Sequence, residues 1–550
     1  MNTLASAGFT ALDWSVLVLY FGLLAGTGWW FSRREQKSTD DYFLGGRRMP
    51  TWAVAVSVLA TSLSAATFIG GPQQAYKGDL TYLATNIGMI LAALVIAVFF
   101  IPAFFRAKVS TVYELLEGRF GTPSKRAASG MFMIGRVFAS GARLFMVGLP
   151  AALILFGEPG AIDGAIPPSP DWQIFVAIGL MTAVGIAYTL VGGISSVIWS
   201  DVIQTGVFLV AVTAAIILLL TRIPIGPGEI VDVLQDAPGT SDTAGNAGKM
   251  TLLNLSGDPT QPFTIWAVLI GFTLLGIASY GTDQDLVQRM LTCKNARSGS
   301  ASVIYAQLIG VPVVVLFMTA GLLLFVFYQR PEIMGAGGPG AAPDDSRTVF
   351  LNFILREMPA GMTGLMMAGL FAAGLSSLNS AINAMASTFV SDFYKPLVPG
   401  ASERHYVHVG RTAVVIWGLT LGSFACFCVV WQRASGTTLL DFALGVMTFA
   451  YSGLLGVYFT AIFTKRGSNA SVLAALVVGF MAILVMQDFE PVRDLLAPVL
   501  ERSARIESGY AWLVALAFPW KLTVGTTLAF AVCQIGSAKK QPAREAVSAE

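Results

Sequence analysis

The stretch "TWAVAVSVLATSLSAATFIGG", residues 51–71, decides how this chain is read. Its ends are apolar enough to enter a membrane. Its centre, "ATSLSAAT" (60–67), concentrates Ser and Thr, whose side chains compete for backbone hydrogen bonds and weaken a helix. The whole is barely the ~20 residues that a crossing requires. A span that breaks at mid-membrane frees backbone carbonyls and amides, and transporters place ion and substrate sites at such breaks.

The flanking sequence supports lipid as the solvent. Of 550 residues, 55% are hydrophobic and only 12% charged, and mean hydropathy is +0.68. A soluble chain carries roughly 25% charge. Thirteen spans are expected, near 12–31, 51–71, 80–105, 127–156, 173–191, 195–221, 263–284, 300–328, 362–390, 410–431, 438–463, 469–486 and 511–534. The first is a span and not a signal peptide, because "MNTLASAGFTALDW" has no basic region before its apolar run. With the N-terminus outside, the inside segments hold 21 Lys and Arg and the outside segments 10. The positive-inside rule then sets the N-terminus out and the C-terminus in.

Other classes find little support. A net charge of +2 leaves no nucleic-acid footprint. No GxxxxGK[ST] suggests ATP as the energy source. Cys293, Cys426, Cys428 and Cys533 match no metal spacing and read as small buried hydrophobes. His405 and His408 share a polar loop. No His, Cys or paired carboxylates converge at mid-membrane, so an enzyme is not expected.

Five spans after the first interruption, "FTIWAVLIGFTLLGIASYGTDQ" (263–284) carries glycines at 271, 276 and 281 and reads as a second interrupted span. Two breaks five spans apart suggest an inverted five-plus-five repeat. A polar cluster then occurs in "AAGLSSLNSAIN" (372–383), inside an otherwise apolar run. Ser376, Ser380 and Asn383 are spaced i, i+4, i+7 and share one helix face, with Ser377 beside it. Two readings stand: hydrogen-bonded glue between helices, or a site for a hard cation that takes neutral oxygens. Ionisable residues inside spans are few, among them Arg136, Arg143 and Asp201.

Taken together, "STDDYFLGGRRMPTWAVAVS" (38–57), "TVYELLEGRFG" (111–121), "GGISSVIWSDVIQ" (192–204), "GTDQDLVQRML" (281–291) and "AAGLSSLNSAINAMASTFVSDFYKPL" (372–397) resemble the sodium/solute symporter family, in the family's order. The resemblance implies an all-α polytopic membrane protein of the leucine-transporter-like fold, with repeats at 46–222 and 263–465. Around them lie an extra helix and loop at 1–45, an outer loop at 223–262, and two helices with a tail at 466–550. It implies a first sodium site of the carbonyls of Ala60, Leu63 and Ala373 with the hydroxyls of Ser376 and Ser377. A second sodium site, found in some members, falls on Asp201, Ser376, Asn379 and Ser380; the family often has Ser where this chain has Asn379. Asp201 there could equally serve a proton. The substrate pocket falls on Ser62, Ser64, Thr67 and Asn86, with Arg143 as counter-charge and Arg136 as its rival. These hydroxyls resemble the sialic acid type more than the sugar type, whose Asn, Gln and Glu are missing. Ser279 precedes Tyr280, which shifts the inner gating aromatic.

The implied function is sodium-coupled import of a small, carboxylated organic solute by alternating access; the compact loops point to a bacterial inner membrane. The rivals are a sugar, amino acid or vitamin symporter, a proton-coupled carrier, and a transporter-like solute sensor. The implied partners are the solute, sodium ions and the bilayer; the oligomeric state is not given by the sequence.

Overall fold

The stretch at 51–71 folds as two helices. Pro50, in extended backbone, precedes α2 (Thr51–Ser62), which ends where Leu63 turns extended at φ −81°, ψ 124°. The next helix, α3 (Ala65–Lys77), sets off at 62° to it. The expected interruption is therefore present, and its second limb runs six residues beyond the expected end at 71. Pro72 lies inside α3, and its backbone packs on Gly321 so closely that a Cβ there would meet the Pro72 carbonyl at 2.1 Å.

A buried lysine from the segment 223–262 closes α3. Lys249 donates to the carbonyls of Ala75, Tyr76 and Gly78 at 3.3, 2.9 and 2.7 Å, and lies 4.2 Å from the centre of the Phe325 ring. Carbonyls at a helix C-terminus have no partner in their own helix, and a cation there also suits the helix dipole. Lys249→Met strands these acceptors and is expected to lower stability by about 1–3 kcal/mol. Thermal unfolding in detergent measures it; an unchanged midpoint would show that the cap is dispensable.

This computed structural model describes all residues except 1–8, 33–37, 64, 157–170, 240–247, 336–337, 340–345, 347–348, 436–438, 488–489, 501–502 and 537–550. Around the broken span lie α1 (Ala11–Ser32), α4 (Thr85–Val95), α5 (Thr122–Phe156), α6 (Asp171–Arg222), α7 (Thr273–Thr282), α8 (Gln284–Leu291), α9 (Ala296–Gln329) and α10 (Met362–Thr388). Then come α11 (Glu403–Ser435), α12 (Leu439–Phe463), α13 (Asn469–Val485) and α14 (Phe518–Gln534). Eight helices among the described residues are long and apolar enough to cross a membrane singly; two bent pairs and three shorter apolar helices add to them. Each expected span overlaps one of these. The last is a pair, Ala504–Ala515 and Phe518–Gln534, bent by 111°.

Two details differ from the sequence reading. The fifth and sixth spans run through one helical segment, α6, which turns at Gly193 with φ +57°. A Cβ there would stand 2.5 Å from the Tyr42 carbonyl, so only glycine fits both the angle and the approach. The second interruption is not at the glycines of 263–284. The helix breaks at Asp283, at φ −96°, ψ 114°, between α7 and α8. Gly271, Gly276 and Gly281 instead let neighbours close in, since a Cβ on each would lie 2.4 to 2.5 Å from Pro519, Ala92 and Ile96 respectively. Missing side chains here serve packing, not chain reversal.

Candidate functional site

The two interruptions meet at α10. Every residue of α10 from Met366 to Thr388 is buried, so its hydroxyls and amides face protein on all sides. Ser376 Oγ donates to Asp201 Oδ1 at 2.6 Å, and Ser57 Oγ of α2 donates to Asp201 Oδ2 at 2.5 Å. Ser380 Oγ donates to the Ser376 carbonyl at 2.5 Å and lies 3.3 Å from Thr61 Oγ1. The first limb of the broken span is thus tied to α10 and α6 through one carboxylate and four hydroxyls.

Next to this knot sits a guanidinium. Arg289 on α8 has no exposed surface. Its Nε donates to Ser57 Oγ at 2.9 Å and its Nη1 to Asp285 Oδ1 at 3.0 Å. Nη2 donates to Asp201 Oδ2 at 3.2 Å and also to Ser380 Oγ. A second guanidinium, Arg136 on α5, pairs with Asp283 and, at 3.2 Å, with Asp285, and Tyr451 OH donates to Asp283 Oδ2 at 2.6 Å. Burying isolated ions is prohibitively costly; here each carboxylate meets a cation or several donors. Arg143, two turns along α5 from Arg136, also lies within electrostatic range of Asp283 and Asp285, so three carboxylates face three guanidinium groups.

The expected first-site residues lie on two elements, the break at Leu63 and the buried α10. Because α2 stops at Ser62, the carbonyls from Ala60 onward have no partner further along their own helix. Ala60, Leu63 and Ala373 are all buried, and Ser377 Oγ lies 3.3 Å from the Ala373 carbonyl. The expected second-site residues come together only in part. Asp201, Ser376 and Ser380 form one hydrogen-bonded group, but two of them already bind Arg289. Asn379 turns aside: its Oδ1 would stand 3.0 Å from a Cβ on Gly185 of α6.

The expected pocket residues are distributed as follows. Ser62 Oγ donates back to the Val58 and Leu59 carbonyls at 3.0 and 2.8 Å. Tyr280 is buried at the end of α7. Thr67 is half-buried on the second limb. Asn86 Nδ2 donates to the Leu83 carbonyl at 2.9 Å. Ser64 lies outside the described residues. Of the two arginines, Arg136 is committed to protein carboxylates, and Arg143, two turns along α5, is half-buried.

Sequence reasoning missed Asp283, Asp285, Arg289, Ser57 and Tyr451. It assigned Arg289 to an inside loop and counted it toward the orientation. One signal was present: in "TDQDLVQR" an Asp and an Arg stand at i, i+4, the spacing of a helical ion pair.

The model of the sodium:solute symporter family matches residues 42–479. The chain is 31% identical to the sodium/sialic acid symporter SiaT of Proteus mirabilis over 86% of this chain and 89% of that one. It is 30% identical to the sodium/sialic acid symporter NanT of Aliivibrio fischeri, covering 86% and 88%. The human sodium/iodide cotransporter is 27% identical, with 86% and 69% covered. A solved structure of a Na+-coupled sialic acid symporter, substrate-bound and outward-open, superposes with a TM-score of 0.76 at 27% identity, covering 97% of this chain and 100% of that one.

Proposed function

This chain belongs to the sodium:solute symporter family, and we propose that it imports a small carboxylated solute, sialic acid or a similar organic acid, driven by one sodium ion per cycle. It is a multi-pass membrane protein with sodium as the coupling ion. The further assignments that follow are ours: N-terminus outside, C-terminus inside, repeats at 46–222 and 263–465, and a bacterial inner membrane. In this reading the protein is a carrier and performs no chemistry on its cargo.

The observation that supports the sodium reading is the helix end at Leu63, on a limb whose Thr61 lies 3.3 Å from Ser380 of α10, the helix that carries Ser376 and Ser377. Freed carbonyls and neutral hydroxyls are the donors a hard monovalent ion takes. Sodium there would tie α2 to α10 and order the pocket, so solute binds more tightly, a coupling of about 1–3 kcal/mol. Arg143 would supply the planar fork for a carboxylate. A single sodium is proposed because Arg289 already bonds Asp201 and Ser380, and Asn379 faces Gly185.

Uptake of labelled sialic acid into proteoliposomes tests this. An inward sodium gradient is expected to drive accumulation and a potassium gradient is not. Sodium and a monoanion moving together carry no net charge, so an imposed membrane potential should leave the rate unchanged. A second sodium would add about 2.3 kcal/mol of driving force per 100 mV. Acceleration by an inside-negative potential would therefore reject the single-ion assignment. Uptake driven equally by a proton gradient without sodium would reject sodium coupling.

A further inference from the structure

Asn383 shares the face of Ser376 and Ser380, yet neither the proposed sodium site nor the charge network uses it. It has no exposed surface, and among the described residues neither its Oδ1 nor its Nδ2 has a hydrogen-bond partner. The same holds for Asn379 Oδ1, Ser387 Oγ and Thr388 Oγ1, all at least nine-tenths buried on α10. Thr189 Oγ1, one turn beyond Gly185 on α6, and Gln288 Oε1 on α8 are equally buried and, among the described residues, unpartnered. Buried polar atoms are normally paired, so such a cluster calls for an explanation.

The pattern has a direction. Ser376, Ser380, Asn383 and Ser387 lie on one helix face, at a rise of 1.5 Å per residue, and so span roughly 16 Å. That is about half the ~30 Å hydrocarbon core. The face begins at the proposed sodium site and runs toward the end of α10 that we assign to the cytoplasm. Beyond that end stands Asp392, a buried carboxylate that accepts from Thr111 Oγ1 at 2.8 Å and from Ser129 Oγ at 2.6 Å. The nearest cation of α5, Lys125, is paired with Glu117 at 2.5 Å. Oxygens thus recur about once per turn, between the Asp201 carboxylate at the top and the Asp392 carboxylate at the bottom.

We infer that this face, through Asn379, Asn383 and Ser387, is the path by which sodium leaves its site toward the cytoplasm. The inference rests on the symport reading and adds to it the route of the ion. Side-chain oxygens without protein partners replace the ion's water in stages, so no step strips it wholly in a low-dielectric interior. Glue between helices would use these groups in hydrogen bonds, and here they make none. The carboxylate oxygens of Asp201 and Asp392 at its two ends suit a cation and not an anion, so the carboxylated solute would leave by another way.

The test uses the full chain in proteoliposomes and radioactive sodium as probe. Sodium–sodium exchange is followed with and without sialic acid, beside the thermal shift that sodium produces in detergent. Asn383→Leu is expected to slow exchange at least tenfold while the sodium midpoint of the thermal shift moves less than twofold. Asn383→Ser, which restores an oxygen, should recover most of the rate. Ser387→Ala, a smaller change that any folded variant tolerates, should slow exchange about threefold. Wild-type exchange in either Asn383→Leu or Ser387→Ala, or an Asn383→Ser variant as slow as the Leu variant, would overturn the path and leave the symport reading intact. A wild-type protein that exchanges no sodium under either condition would overturn the symport reading itself, and the path with it.

Discussion

Arg289→Met is expected to destabilise the protein by about 3–5 kcal/mol, the cost of removing one partner from a buried ion pair. The guanidinium is wholly buried and donates to Ser57, Asp201, Asp285 and Ser380. Its removal leaves Asp201 charged, fully buried and supported only by the hydroxyls of Ser57 and Ser376. Asp285 suffers less, because Arg136 still faces it at 3.2 Å. Pairing Arg289→Met with Asp201→Asn removes both charges. The double variant should therefore recover most of the loss, a coupling that independent sites do not show. Thermal or denaturant unfolding in detergent measures all three variants. Strict additivity of the two single changes would mean that the pair does not act as a unit. Sodium should also rescue Arg289→Met more than potassium does, since it is then free to settle among Asp201, Ser376 and Ser380.

Sodium itself is expected to stabilise the wild-type protein by about 2.7 kcal/mol at one hundred times its dissociation constant, with no such effect from potassium. Ser377→Ala should abolish this difference, because it removes one of two proposed hydroxyl ligands and leaves the fold in place. The Ser377 hydroxyl makes only one long contact within its own helix, 3.3 Å to Ala373, so its loss costs little without the ion. Ser376→Ala is a less selective test, since Ser376 also holds Asp201 at 2.6 Å. Melting curves in NaCl and KCl at equal ionic strength decide the matter. Equal stability of the wild type in both salts would remove the site; a sodium shift that survives Ser377→Ala would move it elsewhere.

Both results bear on how far a sequence carries a reading. The weak helix propensity of "ATSLSAAT" and the marginal length around it were legible locally, and the chain does break at Leu63. Hydropathy placed the spans for the same reason: each is a local response to lipid. The spacing of Ser376, Ser380 and Asn383 put three polar groups on one face before any neighbour was known. The glycines of 263–284 misled, because a glycine that frees the backbone and one that admits a neighbour look the same in one dimension. The break came instead at Asp283, an N-cap whose side chain accepts from the Asp285 amide.

What this sequence determined by itself is whatever depends on residues within a few turns of one another: spans, break and polar face. Only the tertiary structure decided what those polar groups meet. Arg289 lies 88 residues from Asp201 and 91 from Ser380, and Arg136 lies 147 from Asp283. No local pattern marks such pairings, because the energy that forms them arises only when packed helices exclude water and leave charges no other partner.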